Sequence, residues 1–317
     1  MRDRGLNRRD VLRLGLSAGL ACAAWHALPG LASAHAAQRG SVDRLAVLSP
    51  ALAVILRDLG LGDRIIARHG FDIWSEQSLP VVGDQAGIDY EALIRSDPSA
   101  VLLEWGRREI PARLQDLARE RSWEIVNCST LSLADIRETT RRLWAFTPEC
   151  RSASNVEKAW TESRMGAELA RAWSPRAAPA GIDRVGKVLL LISTDPVAAA
   201  LGPGSSHAEI LGLVGGTSAL HKGLPYQELD AEDVLRLDPG AIVLLRPRTP
   251  GGSPSAAPLE ERLTVALGPL AKLGLRAVRE KRVAILDDPL LLLPSTSLIA
   301  YADRLAETLA AFAASAR

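Results

Sequence analysis

Aromatic residues are scarce in this chain: Phe, Tyr and Trp together make up 4% of its 317 residues. No basic run is interleaved with the few that occur, so no groove of stacking rings and phosphate-binding cations is written here, and nucleic acid is excluded as a partner. Histidine is rarer still, at five residues, and none forms an HxH or HxxxH pattern of the kind that holds a metal from one strand or helix face. Catalytic signatures are missing too. Ser206 and His207 are adjacent, but no G-x-S-x-G elbow is present, and neighbours in sequence do not thereby acquire the geometry of a nucleophile and its base. The GPGSS stretch before a helix could cradle an anion on backbone N–H groups, yet it matches neither a P-loop nor a G-x-G-x-x-G turn. Binding is therefore expected, not catalysis, and no cofactor is implied.

What is present is an ordinary globular composition, 47% hydrophobic with 25 Gly and 19 Pro, on a length that suits two domain-sized cores. The first 36 residues read as an export signal: NRRDVLRLG, an apolar stretch from Leu14 to Trp25, then LASAHA with small-residue cleavage points after Ala34 or Ala36. The paired Arg8 and Arg9 fit the twin-arginine type, against a generic secretory basic region. Lipid attachment at Cys22 is the other alternative, although no leucine stands three places before it. The apolar part is shorter than the roughly 20 residues a membrane helix needs, so it reads as a signal and not an anchor. A periplasmic, soluble product is expected. Its loss removes five arginines and two aspartates from 38 basic and 37 acidic side chains and leaves a net charge of about −2. Cys128 and Cys150 remain, either as a disulfide closing over a predicted helix or as two separate buried thiols.

Along the mature chain, short apolar strands alternate with helical patterns. Strands are predicted at 44–48, 65–67, 100–103 and 123–126, and helices at 51–59, 90–95, 111–120 and 133–147. From 153 to 173 the pattern changes to one uninterrupted helix with no strand on either flank, about 30 Å long at 1.5 Å per residue. A second series follows, with strands at 187–192, 241–245 and 282–286, a helix at 208–213 and a closing amphipathic helix from 297 to about 313. PRTPGGSPSAAP at 247–258 reads as a surface loop. The alternation argues for an α/β fold: two doubly wound parallel-sheet lobes joined by one long α-helix. The expected boundaries are a signal at 1–36, an N-terminal lobe at 37–150, a linker helix at 151–175 and a C-terminal lobe at 176–317. One segment is written twice. IDYEALIRSDPSAVLLEW at 88–105 and LDAEDVLRLDPGAIVLLR at 229–246 share Asp, Glu, Arg, Asp-Pro and a trailing apolar run in register, so each lobe should contain the same helix-to-strand unit.

On these residues, together with 44–68, 79–103, 200–220 and 224–245, the chain resembles the class III periplasmic substrate-binding proteins of ABC importers, which carry ferric siderophores, haem and cobalamin. The resemblance implies a ligand cleft between the lobes, a membrane permease and its ATPase as partners, contact with the membrane only through that permease, and a monomer. It also implies that a surface glutamate on each lobe docks with a permease arginine. The matching positions are Glu91 and Glu232. Asp89 and Asp230 are plausible N-caps that place each glutamate in a first helical turn, where an acid also complements the helix dipole whatever else it does.

The cleft of such a fold lies where loops leave the carboxyl ends of the strands. The residues readable there are His69 and Trp74 after the second strand, Trp105 and Arg107 after the third, Ser206 and His207 in the first loop of the second lobe, and Tyr226 before the repeated unit. The tryptophans offer flat apolar area to a ring system or chelate, and the arginines can pair with its carboxylates. His69 or His207 could cap an iron through a neutral imidazole, but no metal site of the protein's own is expected, and the His-rich loop of the zinc-carrying branch is lacking. The expected cargo is a metal chelate or tetrapyrrole, with a ferric siderophore foremost and haem or cobalamin as alternatives. A ligand-binding sensor with no transport role is the remaining reading.

Overall fold

The structure is a computed structural model that describes residues 43–248 and 257–316. The segment read as an export signal, and most of the 247–258 stretch, lie outside the described residues.

The first sheet starts with β1 (Leu45–Val47), fully buried and apolar. Ser49 then turns the chain, its hydroxyl accepting the N–H of Leu52, with Pro50 in the first turn, and α1 (Pro50–Asp58) begins. There follow β2 (Ile65–His69), a short hairpin of β3 (Val81–Asp84) and β4 (Gly87–Ile88), α2 (Tyr90–Ser96), β5 (Ala100–Leu103), α3 (Ala112–Arg121), β6 (Glu124–Asn127) and α4 (Leu133–Trp144). The strand order is β4-β3-β2-β1-β5-β6. Every pairing in it is parallel except β3 with β4. The core on one of its faces gathers Leu48, Val82, Leu93, Val101, Leu103 and Leu114.

The connecting segment is helical but not one helix. The single helix expected over 153–173 is broken into α5 (Val156–Glu162) and α6 (Arg164–Ala172). Ser163 is the break: its backbone is extended, at φ −64° and ψ 150°, and its hydroxyl accepts the N–H of Gly166 at 3.0 Å to start a new helix. The corner is tight. A Cβ on Gly166 would lie 2.0 Å from the carbonyl oxygen of Trp160, so a residue without a side chain is required there. The apolar stripe runs through the break, because Trp160, Met165, Leu169 and Trp173 all face one core, and periodicity alone therefore reads the two helices as one.

The second series is β7 (Lys187–Ser193), β8 (Ala198–Leu201), α7 (Ser206–Leu213), β9 (Thr217–Ser218), β10 (Tyr226–Leu229), α8 (Ala231–Leu237), β11 (Ala241–Leu245), α9 (Leu259–Leu267), β12 (Val283–Leu286) and α10 (Leu298–Ser315). Its sheet runs β10-β8-β7-β11-β12 with β9 beside β7. The strands at its centre are parallel, and β8 is antiparallel to both neighbours. Successive residues of β7 and β11 supply opposite cores: Val188, Leu190, Val243 and Leu245 on one face, Leu189, Leu191, Ile242 and Leu244 on the other. That two-sided burial is why these strands read as unbroken apolar runs.

The duplicated segment folds alike in both places. Asp89 and Asp230 cap α2 and α8, and Asp97 and Asp238 end those helices in the left-handed conformation at φ 44° and φ 34°. The following proline prevents continuation, and β5 and β11 then enter the middle of their sheets. Cys128 and Cys150 are buried free thiols, not a disulfide.

Candidate functional site

At the carboxyl ends of β5 and β6 the first lobe carries a depression of about 920 Å³ lined by Trp105, Arg107, Arg108, Thr130, Leu131 and Arg142 among others. Its whole lining comes from the 104–142 segment. Trp105 is half-buried, held by its backbone N–H on the side chain of Asn127 at 3.0 Å. The Arg108 guanidinium stands 5.5 Å from the centre of its ring. Leu131, among the lining residues, is 76% exposed.

Glu104, not singled out by the sequence reading, forms the floor of this depression. It leaves the end of β5 half-buried and accepts hydrogen bonds from the hydroxyls of Ser49 and Thr130, both buried, and so joins the ends of β1, β5 and β6. The signal was available: an acid directly after AVLL, at the point where a central strand reaches its carboxyl edge.

His69 ends β2 and is partly buried. Its Nδ1 accepts the backbone N–H of Phe71 at 3.1 Å, so in the neutral ring the proton sits on Nε2. A metal-bound imidazole normally donates its second N–H, and this ring has the opposite polarity. Its Nε2 is then a donor, not a lone pair, and the ring is not among the residues lining the depression beside Trp105. Burial lowers its pKa, against the opposing pull of Asp84, Asp72 and Glu104. The loop beyond is built around Asp72, fully buried, which accepts the N–H groups of Trp74 and Ser75, while Arg68 holds the carbonyls of His69 and Asp72. This frame leaves Trp74 half-buried and turns Phe71 and Ile73, 57% and 51% exposed, outward.

In the second lobe the sequence candidates separate. Ser206 and His207 are buried at the start of α7, below its cap Ser205. The His207 Nε2 hydrogen-bonds the Leu291 carbonyl at 2.8 Å, and its ring packs 5.0 Å from that of Tyr301. Burial lowers its pKa, so it is a neutral core residue. Tyr226 is 49% exposed on the edge strand β10, opposite Leu201. None of these lines the depression of the first lobe. Among the described residues no group of three or more His, Cys, Asp or Glu side chains is placed to hold a metal ion.

Glu91 and Glu232 occupy the first turns of α2 and α8. Glu91 is 85% exposed and 3.9 Å from Arg95 one turn on. Glu232 is exposed, and the equivalent arginine, Arg236, pairs with Asp233 at 3.0 Å instead.

No family model and no curated protein matches the sequence. Solved structures do match. The periplasmic vitamin B12 binding protein BtuF of Vibrio cholerae superposes with a TM-score of 0.61 at 19% identity, covering 86% of this chain and 98% of that one. The periplasmic heme-binding protein RhuT from Roseiflexus sp. RS-1 gives 0.60 at 19% identity, over 86% of this chain and 100% of that one. A possible iron-binding periplasmic protein from Staphylococcus epidermidis gives 0.60 at 14% identity, over 85% and 99%. The chain therefore has the two-lobed fold of these class III binding proteins, and no helix among the described residues is long and apolar enough to cross a membrane.

Proposed function

We propose that this protein is the substrate-binding component of an ABC importer, which captures an iron chelate of the siderophore or haem class between its lobes and delivers it to a membrane permease. The observation that carries this reading is the duplicated unit. One capped helix in each lobe exposes a glutamate at the same turn, and a helix-dipole role would not require the two to be equivalent. Such exposed charges set orientation and encounter rate more than affinity, which suits a carrier that must dock and then leave. The depression beside Trp105 receives part of the cargo, and Trp74, Phe71 and Ile73, on the loop after β2, offer it further apolar surface on the first lobe. Tyr226 is the contribution of the second lobe, whereas Ser206 and His207 are buried within that lobe and do not touch the cargo. A neutral His69 donating from Nε2 suits an oxygen acceptor on the cargo.

The test separates capture from delivery. Membranes of the producing cell are solubilised, and the loaded mature protein is used to retain its permease. The double variant Glu91→Ala, Glu232→Ala is expected to bind the same chelate with unchanged affinity and to lose retention. Equal retention by both proteins would remove the docking assignment and leave the sensor reading.

A further inference from the structure

The depression beside Trp105 is unevenly charged. Three guanidinium groups, Arg107, Arg108 and Arg142, stand on its lining against two carboxylates, Glu104 and Asp135. Both acids are already engaged within the fold: Glu104 by the hydroxyls of Ser49 and Thr130, and Asp135 by the backbone N–H of Ser132 in the capping box of α4. The arginines are exposed, with Arg142 fixed along one edge by the Asn127 carbonyl at 2.9 Å and Arg108 stacked over Trp105. The register of the duplicated unit extends the pattern. With Ile88 set against Leu229, Trp105 corresponds to Arg246 and Arg107 to Arg248, the first residues beyond β11 in the second lobe. Both lobes thus carry an arginine at the same register position of the duplicated unit, just past the carboxyl end of β5 and of β11.

Resting on the binding-protein reading above, we infer that this site selects a metal chelate that carries free carboxylates, held beside the Trp105–Arg108 stack with its carboxylates paired to Arg107 and Arg142. A planar fork of N–H donors matches a carboxylate in two parallel hydrogen bonds and gains little from an amide or a neutral hydroxamate. A tetrapyrrole with propionates and a ferric polycarboxylate share this chemistry. A corrin with amide side chains does not.

The mature protein is titrated by tryptophan fluorescence with haemin, haemin dimethyl ester, ferric citrate, a neutral ferric trihydroxamate and cyanocobalamin, each at low and high salt. Haemin or ferric citrate is expected to bind, with whichever binds naming the source, and the esterified or neutral counterpart about ten-fold or more weaker, the size of one lost charged hydrogen bond. Arg107→Gln with Arg142→Gln should reduce the affinity by a similar factor and flatten its salt dependence, with the circular dichroism and melting temperature retained. Both side chains lie at the surface, so the fold is not at stake. If the trihydroxamate, cyanocobalamin or the ester binds as tightly as the carboxylate chelates, the charge inference falls while the binding-protein reading stands. Binding of nothing in the panel overturns both.

Discussion

His207 is enclosed by protein, hydrogen-bonded to a carbonyl and packed on Tyr301, and burial holds its pKa below the usual histidine value. The sign follows. Above about pH 6.5 the ring is neutral in the folded and unfolded chains alike; below it the unfolded chain takes up a proton that the folded chain resists, so stability falls with acid by up to about 1.4 kcal/mol per pH unit. Urea unfolding of His207→Gln at pH 7.5 and 5.5 should show a smaller loss between the two than the parent protein does. An equal loss would mean that the buried ring titrates normally. The same residue shows where sequence reading of a site stops. Adjacent Ser206 and His207 in a polar loop look available, but which way they turn depends on α7 beginning at Ser206, so that its first turn faces the core. Trp105 and Arg107 were legible at the carboxyl edge because β5 is an apolar run that ends abruptly. The position of Glu104, directly after the same run, was equally legible, but its role was not, since nothing local tells an edge carboxylate held by two hydroxyls from an exposed one.

At the scale of elements, the caps decide more than the periodicity. The helix breaks at Ser163 because a hydroxyl can accept an N–H and Gly166 lets the chain approach Trp160. Ser163→Ala should cost about 1 kcal/mol, the value of an N-cap. Gly166→Ala should cost more, about 3 kcal/mol, because the methyl meets backbone that cannot yield. Chemical denaturation of the two variants checks the order, and a Gly166→Ala protein as stable as the parent would show that the corner is not tight. The central strands were readable from the sequence, since β5, β7 and β11 are buried on both faces. The edge strands β4 and β10 and their neighbours β3 and β8 were not. β8 is Ala-Ala-Ala-Leu, with neither branching nor aromatic bulk to mark a strand, and it pairs only because its neighbours on both sides supply antiparallel ladders.

For the whole molecule, the broken connection changes the account of motion. A single helix between lobes would act as a rigid strut, and the hinge would lie at its ends. Instead the connecting helices are embedded in a continuous core that runs from Leu133, Ile136 and Trp144 of the first lobe through Trp160 and Leu169 to Leu211, Tyr301 and Leu305 of the second. Two polar ties cross between the lobes beside it. The Leu133 amide donates to the Glu209 carboxylate at 3.0 Å, and the Thr296 hydroxyl donates to Asp58 at 2.5 Å. A core shared in this way resists separation, because opening would expose apolar area at roughly 25 cal/mol per Å², so only a small shear or hinge displacement should be accessible. Native-state hydrogen exchange tests how far the ties contribute. Glu209→Ala should accelerate exchange of the Leu133 amide, the first residue of α4 and otherwise without an intrahelical acceptor, while the amides of β7 and β11 keep the protection of global unfolding. Acceleration confined to Leu133 would place the restraint in the shared core, with the ion contact a local cap. Acceleration spreading along α4 and α7 together would make Glu209 the latch between the lobes, and cargo seated at the carboxyl edges of both sheets should then slow it again.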